Sequence, residues 1–202
     1  MNFESVAILH VQVGSARYQC LSENSDQDIW VLTREMDQYI YDSETKTDYF
    51  LASLKTLSSC WGHPLLLGNL TGECMGNRRL CTFLMENRQE IAYSAPARTA
   101  LFGLNYIAEG ERCGYTSPIR AGMRTAIILS HMAARAEDPF LLSEGEKGLL
   151  LRYRNERISK EERMADYRRT ISPENINRLM KMPDHPTIKN ELFQLIEEVI
   201  AC

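Results

Sequence analysis

Two short apolar runs bracket the feature that most restricts this fold. Residues 6–13 (VAILHVQV) are rich in β-branched and aliphatic side chains and stop at Gly14, and residues 27–33 (QDIWVLT) repeat that texture. Both patterns predict strands. The second strand is entered through a pair of aspartates, Asp26 and Asp28. Side chains two apart on a strand point the same way, so the two carboxylates share a face with Trp30 and Leu32, while Ile29 and Val31 take the other. Ionised carboxylates a few Å apart repel, and burying them bare is costly. A divalent cation removes that penalty. Mg²⁺ (or Mn²⁺) accepts carboxylate oxygens and completes its octahedron with water and phosphate oxygens.

Gly14 and Ser15 supply what the carboxylates lack. Glycine at a strand-to-helix turn lets the backbone approach a phosphate closely, and the N–H groups of a helix start donate to it. The Ser15 hydroxyl adds a donor, and residues 15–18 suit a short helical turn. Residues 14–26 are long enough for the chain to leave the first strand, turn once and return beside it. A phosphate-holding turn then faces metal-holding carboxylates, which is the combination that phosphoryl and nucleotidyl transfer require. An Asp-x-Asp alone is a common accident. Its conjunction with two apolar strands and Gly-Ser is much rarer.

The rest of the chain predicts an α+β protein: a small mixed sheet with flanking helices (residues 1–110) followed by a mostly helical half (residues 111–202). Residues 34–46 are a polar, acidic connection, residues 47–51 predict a third strand, and residues 54–57 open a helix. From about residue 60 glycines and prolines mark a loop-rich segment. Ser117-Pro118 suits an N-cap with proline first in the helix, and Ile119, Met123 and Ile127 follow at helical spacing. Ser143 with Glu146, and Ser159 with Glu162, fit capping boxes. Ser172-Pro173 opens another helix, and Thr187 the last, with Ile188, Leu192, Leu195 and Val199 on one stripe. No repeat of solenoid period is present.

Composition excludes several classes. A formal charge of −4 is wrong for a strongly basic nucleic-acid binder, though it leaves room for a local basic groove. No run approaches the roughly 20 apolar residues of a membrane helix, and the first residues lack the basic region of a signal peptide. Six cysteines without a CxxC pair suit reduced thiols in the cytoplasm, and four scattered histidines give no zinc pattern.

The residues at 12–32 resemble the DNA polymerase β-like nucleotidyltransferase superfamily. That family carries an apolar residue, Gly, then Gly or Ser, followed by an Asp-x-Asp on the next strand and a third carboxylate on a neighbouring strand. Within it, the chain is most similar to the nucleotidyltransferases of bacteria and phages associated with RNA repair, which show GSxxYG and then SDxD. Here those segments are Gly14-Ser15-Ala16-Arg17-Tyr18-Gln19 and Ser25-Asp26-Gln27-Asp28. Gln19 replaces the usual glycine, and Gln27 stands where an aromatic or apolar residue is frequent. TDYFLASLKTL resembles the family's aspartate, apolar residues and leucine-lysine helix, which makes Asp48 the third carboxylate, with Asp37 and Asp42 as competitors, and Lys55 the matching base. SPIRAGMRTAII resembles the family's basic helix and aligns Arg120 and Arg124 with a cleft.

The resemblance implies a nucleotidyltransferase. Asp26, Asp28 and Asp48 would hold Mg²⁺ or Mn²⁺. Gly14, Ser15, Arg17, Tyr18, Lys55, Arg120 and Arg124 would bind an NTP, and a nucleoside monophosphate would pass to an acceptor hydroxyl. An RNA 3′ end is the acceptor the family suggests, with a protein hydroxyl or a small molecule as alternatives. A catalytically weak member acting as a nucleotide- or protein-binding regulator is the competing reading. The arginines and lysine between 152 and 169 alternate with acids and predict a solvated mixed surface. Trp30 and the Met180–Met182 region predict core, Cys20 packing only, and the last helix suits pairing with a second copy as well as packing on its own domain.

Overall fold

The structure, a computed structural model, describes residues 7–13 and 27–201. It is an α+β protein built on a five-stranded mixed sheet, with strand order β3-β4-β2-β1-β5. The strands are β1 (Ala7–Val13), β2 (Gln27–Thr33), β3 (Gln38–Asp42), β4 (Thr47–Ser53) and β5 (Cys74–Gly76). β1 runs antiparallel to β2 and to β5, β3 antiparallel to β4, and β2 parallel to β4.

The register follows the hydrophobic pattern. Val11 pairs with Trp30 and Leu9 with Leu32, so the face that carries Leu9, Val11, Val13, Trp30 and Leu32 is buried. A one-residue slip would turn this whole set outward. Residues 34–46 were expected to be a connection and instead contain β3. The strand is short and lies at the sheet edge, which is why its residues are polar at both ends and its tyrosines exposed. Its turn into β4 is held by Asp42, which accepts from the Glu44 N–H at 2.9 Å and the Thr45 hydroxyl at 2.8 Å, and by Lys46 in the left-handed region at φ 53°.

The segment from about residue 60 was expected to be loop-rich and is mostly helical. The helices are α1 (Leu54–Ser59), α2 (Pro64–Leu70), α3 (Arg78–Glu86), α4 (Arg88–Ala92), α5 (Pro96–Cys113), α6 (Thr116–Ala133), α7 (Glu144–Asn155), α8 (Lys160–Thr170), α9 (Pro173–Lys181) and α10 (Pro186–Ala201). Among the described residues, no helix is long and apolar enough to cross a membrane.

The chain divides into two compact units, each made of more than one stretch of sequence. One takes the described residues up to Trp61, Leu66–Ser94 and those from His185 onward; the other takes Gly62–Leu65 and Ala95–Asp184. The return of α10 to the sheet-bearing unit is the reason. Lys189 places its ammonium 5.9 Å from the Trp61 ring and 5.7 Å from that of Phe193, and Arg79 pairs with Glu198 at 2.9 Å. Trp61 in turn donates to the Ser94 hydroxyl at 3.0 Å. The buried stripe of α10 is Ile188, Leu192 and Ile196, with Leu195 and Val199 half-buried beside it.

The second unit is a helical bundle around α6. Its closest approaches are made by glycines of α5. A Cβ at Gly103 would meet Leu129 at 2.7 Å, and one at Gly110 would meet the Pro118 carbonyl at 2.7 Å. Gly114, at φ 72°, closes α5 in the left-handed conformation that glycine adopts without strain. α6 begins at Thr116, one residue before the expected cap, with Tyr115 as an N-cap that makes no side-chain bond. Pro118 is tolerated there because first-turn N–H groups have no partner within the helix. Both capping boxes, Ser143 with Glu146 and Ser159 with Glu162, are formed.

Two expectations for this unit are corrected. Asp166, expected on the solvated mixed surface, is instead buried at 3% exposed, and the Tyr153 hydroxyl, Arg152 and the exposed Arg169 surround it. Arg163 grips Glu111 through three bonds at 3.0, 3.1 and 2.8 Å. Met180 is exposed, and the buried residue of α9 is Leu179.

Candidate functional site

β2 and β4 run parallel with Asp28 paired to Asp48 in the register. Paired residues of adjacent strands project from the same face. Two half-buried carboxylates therefore stand side by side at the N-terminal ends of these strands. Val13, the residue before Gly14, is paired with Asp28 on the other side, so β1 ends level with the carboxylates.

β3 completes the surroundings. Tyr41 is paired with Asp48, and Tyr39 with Phe50. The three aromatic side chains share the face of Asp48 and are unusually open, with Tyr39 59%, Tyr41 49% and Phe50 40% exposed. The Tyr39 and Phe50 rings lie 5.4 Å apart between centroids, tilted on each other. The Tyr39 hydroxyl donates to Asp48 Oδ1. That bond is the main reason its pKa lies above the ordinary phenol value; partial burial and the negative charges of Asp48, Tyr41 and Asp28 add to it. The charge of Asp28 thus reaches Tyr39 as well, and the three groups form one electrostatic neighbourhood. Sequence reasoning missed Tyr39 and Tyr41, although the alternation in QYIYD carried the signal of an edge strand.

The competitors for the third acidic position are engaged elsewhere. Asp42 caps the β3–β4 turn. Asp37 accepts the Ser53 N–H and the Ser53 hydroxyl, each at 2.8 Å, and holds the start of α1. The Ser53 N–H is the principal cause of its lowered pKa; burial opposes it and the Ser53 hydroxyl adds to it. Only Asp48, of these three, adjoins Asp28.

Lys55 does not join the pair. It is exposed at the start of α1, beyond the C-terminal end of β4, where its charge acts on Asp37. About 17 Å of strand separate that end from Asp48. Arg120 and Arg124 are half-buried on α6 in the second unit, one turn apart, and the charge of Arg124 acts on the half-buried Tyr106. Asp26, Gly14, Ser15, Arg17, Tyr18 and Cys20 lie outside the described residues.

The donor set suits a hard cation. Two carboxylates and a phenol offer oxygen alone, the preference of Mg²⁺ and Mn²⁺ rather than zinc. Among the described residues there is no cluster of three or more His, Cys, Asp or Glu side chains placed to bind a metal, and Asp26 stands outside that set. The second unit has its own cavity of about 540 Å³, lined among others by Thr116, Tyr153, Arg154, Arg157 and Arg163. No family model, no curated protein and no solved structure matches the chain.

Proposed function

We propose that this protein is a nucleotidyltransferase of the DNA polymerase β-like type, which moves a nucleoside monophosphate from an NTP to an acceptor hydroxyl and releases pyrophosphate. One observation carries the reading: Asp28 and Asp48 are register neighbours on parallel strands, on one face. Like charges so placed need either a cation or a hydrated cleft. The pairing of Val13 with Asp28 supports it further, because the next residues in the chain are Gly14 and Ser15.

In this reading Asp28 and Asp48, with Asp26, hold Mg²⁺ or Mn²⁺. A cation bound there neutralises phosphate charge and favours the ionised form of an acceptor hydroxyl. Asp48 takes the acceptor's proton, and the backbone N–H groups at Gly14-Ser15 hold the β- and γ-phosphates. The acceptor hydroxyl belongs to an RNA 3′ end, in keeping with the sequence resemblance, or otherwise to a protein or small molecule.

The test is transfer of label. The protein is incubated with Mg²⁺, each α-labelled NTP in turn, total RNA and cellular protein, and the reaction is repeated with Asp28→Ala and Asp48→Ala. Transfer that both substitutions abolish supports the proposal and identifies the acceptor. Nucleotide binding without transfer to any acceptor identifies a regulator instead, and transfer that survives in both variants removes the carboxylates from the chemistry.

A further inference from the structure

An acceptor hydroxyl in such a site has two relations to satisfy: its proton must face a base, and its oxygen must reach the α-phosphorus of the nucleotide. Tyr39 already satisfies the first. Its hydroxyl donates to Asp48 Oδ1, the carboxylate placed beside Asp28. Its ring is braced by Phe50 and yet is well exposed, on a strand at the edge of the sheet. A hydrogen bond this open to water contributes little to stability, so the fold alone gives weak reason for a phenol here. Phenylalanine would keep the contact with Phe50.

We infer that Tyr39 is itself an acceptor, and that the protein nucleotidylates its own Tyr39 hydroxyl. The inference rests on the transferase reading and names a substrate for that same site. In the step, a bond forms between Tyr39 Oη and the α-phosphorus of the NTP. The bond from that phosphorus to the oxygen bridging to the β-phosphorus breaks, and pyrophosphate leaves with the electron pair. The phenolic proton passes to Asp48. The product is a tyrosyl phosphodiester of the nucleoside monophosphate, with no change of oxidation state.

Tyr41 provides the internal control, since it is the direct register neighbour of Asp48 and comparably exposed. The test is the intact mass of the full chain, as purified from the cells that express it and after incubation with Mg²⁺ and each NTP, followed by peptide mapping. An added RNA in the same reaction serves as an independent acceptor. The expected result is one nucleoside monophosphate per chain, mapped to Tyr39, absent from Tyr39→Phe and Asp48→Asn and retained in Tyr41→Phe. Melting curves of Tyr39→Phe matching the parent show that the variant is folded. A nucleotide on another residue, one that persists in Tyr39→Phe, or none at all overturns the inference. Transfer to the added RNA in that case leaves the transferase reading standing, whereas absence of both modification and transfer removes the two together.

Discussion

Asp48 is half-buried and Asp166 buried, and the protein surrounds them in opposite ways. Asp166 sits among two guanidiniums and a phenol, its charge matched on every side. Asp48 has another carboxylate as its register neighbour and a single tyrosine hydroxyl donating to it. The first arrangement neutralises a buried charge and ties α7 to α8. The second sets two carboxylates beside each other at the ends of two strands, where like charges repel. In the proposed transferase, charge balance, more than burial, separates the aspartate that holds the fold from the one that would serve chemistry.

Substituting each in turn should break the comparison apart. On the transferase reading Asp48→Asn removes a cation ligand, so label transfer should fall about 10³-fold while urea denaturation shows unchanged or slightly higher stability. Asp166→Asn should do the reverse. It leaves two guanidiniums without their carboxylate, and the loss should be about 3 kcal/mol, the low end for breaking a buried pair, because both arginines keep access to water. A comparable loss of stability from Asp48→Asn would place it among the structural aspartates.

A third substitution sharpens the view of the second unit as a packed scaffold. Gly110→Ala puts a methyl 2.7 Å from the Pro118 carbonyl, a backbone atom that cannot swing aside. The expected cost is about 1–3 kcal/mol in chemical denaturation, despite the better helix propensity of alanine. The smallest effect belongs to Asp37. Its carboxyl is held below the ordinary value of 3.8 mainly by the Ser53 N–H, so its contribution is present above that pH and drains away as the pH falls below it. Because the group is largely exposed, Asp37→Asn should remove less than about 1 kcal/mol at neutral pH, and the difference from the parent should vanish in acid.

The sheet was legible where its strands are buried. β2 matches its expected residues at both ends, and β1 and β4 are close, because alternation of apolar side chains is strongest in the middle of a sheet. β3 was hidden by its place at the edge, where the pattern that marks a strand is diluted by exposed and polar residues. α5 was not read from the sequence, and its glycines Gly103 and Gly110 are the points where it meets α6. Return of α10 to the first unit depends on contacts with Trp61 and Arg79, far away in sequence, which no local pattern encodes. For the site, Asp28 was legible from strand periodicity and Asp48 from family resemblance. Lys55 was named from the same resemblance, and the structure sets it beyond the far end of β4 from Asp48. For Tyr39 the alternation in QYIYD signalled a strand but not its partner, which is a cross-strand neighbour.

The most direct measurement is Mn²⁺ binding followed by electron paramagnetic resonance, with and without NTP, on the parent and on Asp28→Asn and Asp48→Asn. The account predicts a bound ion in the parent, held more tightly with nucleotide present, and loss of that signal in both variants. Equal binding by all three proteins, or none by the parent at any nucleotide concentration, would contradict it.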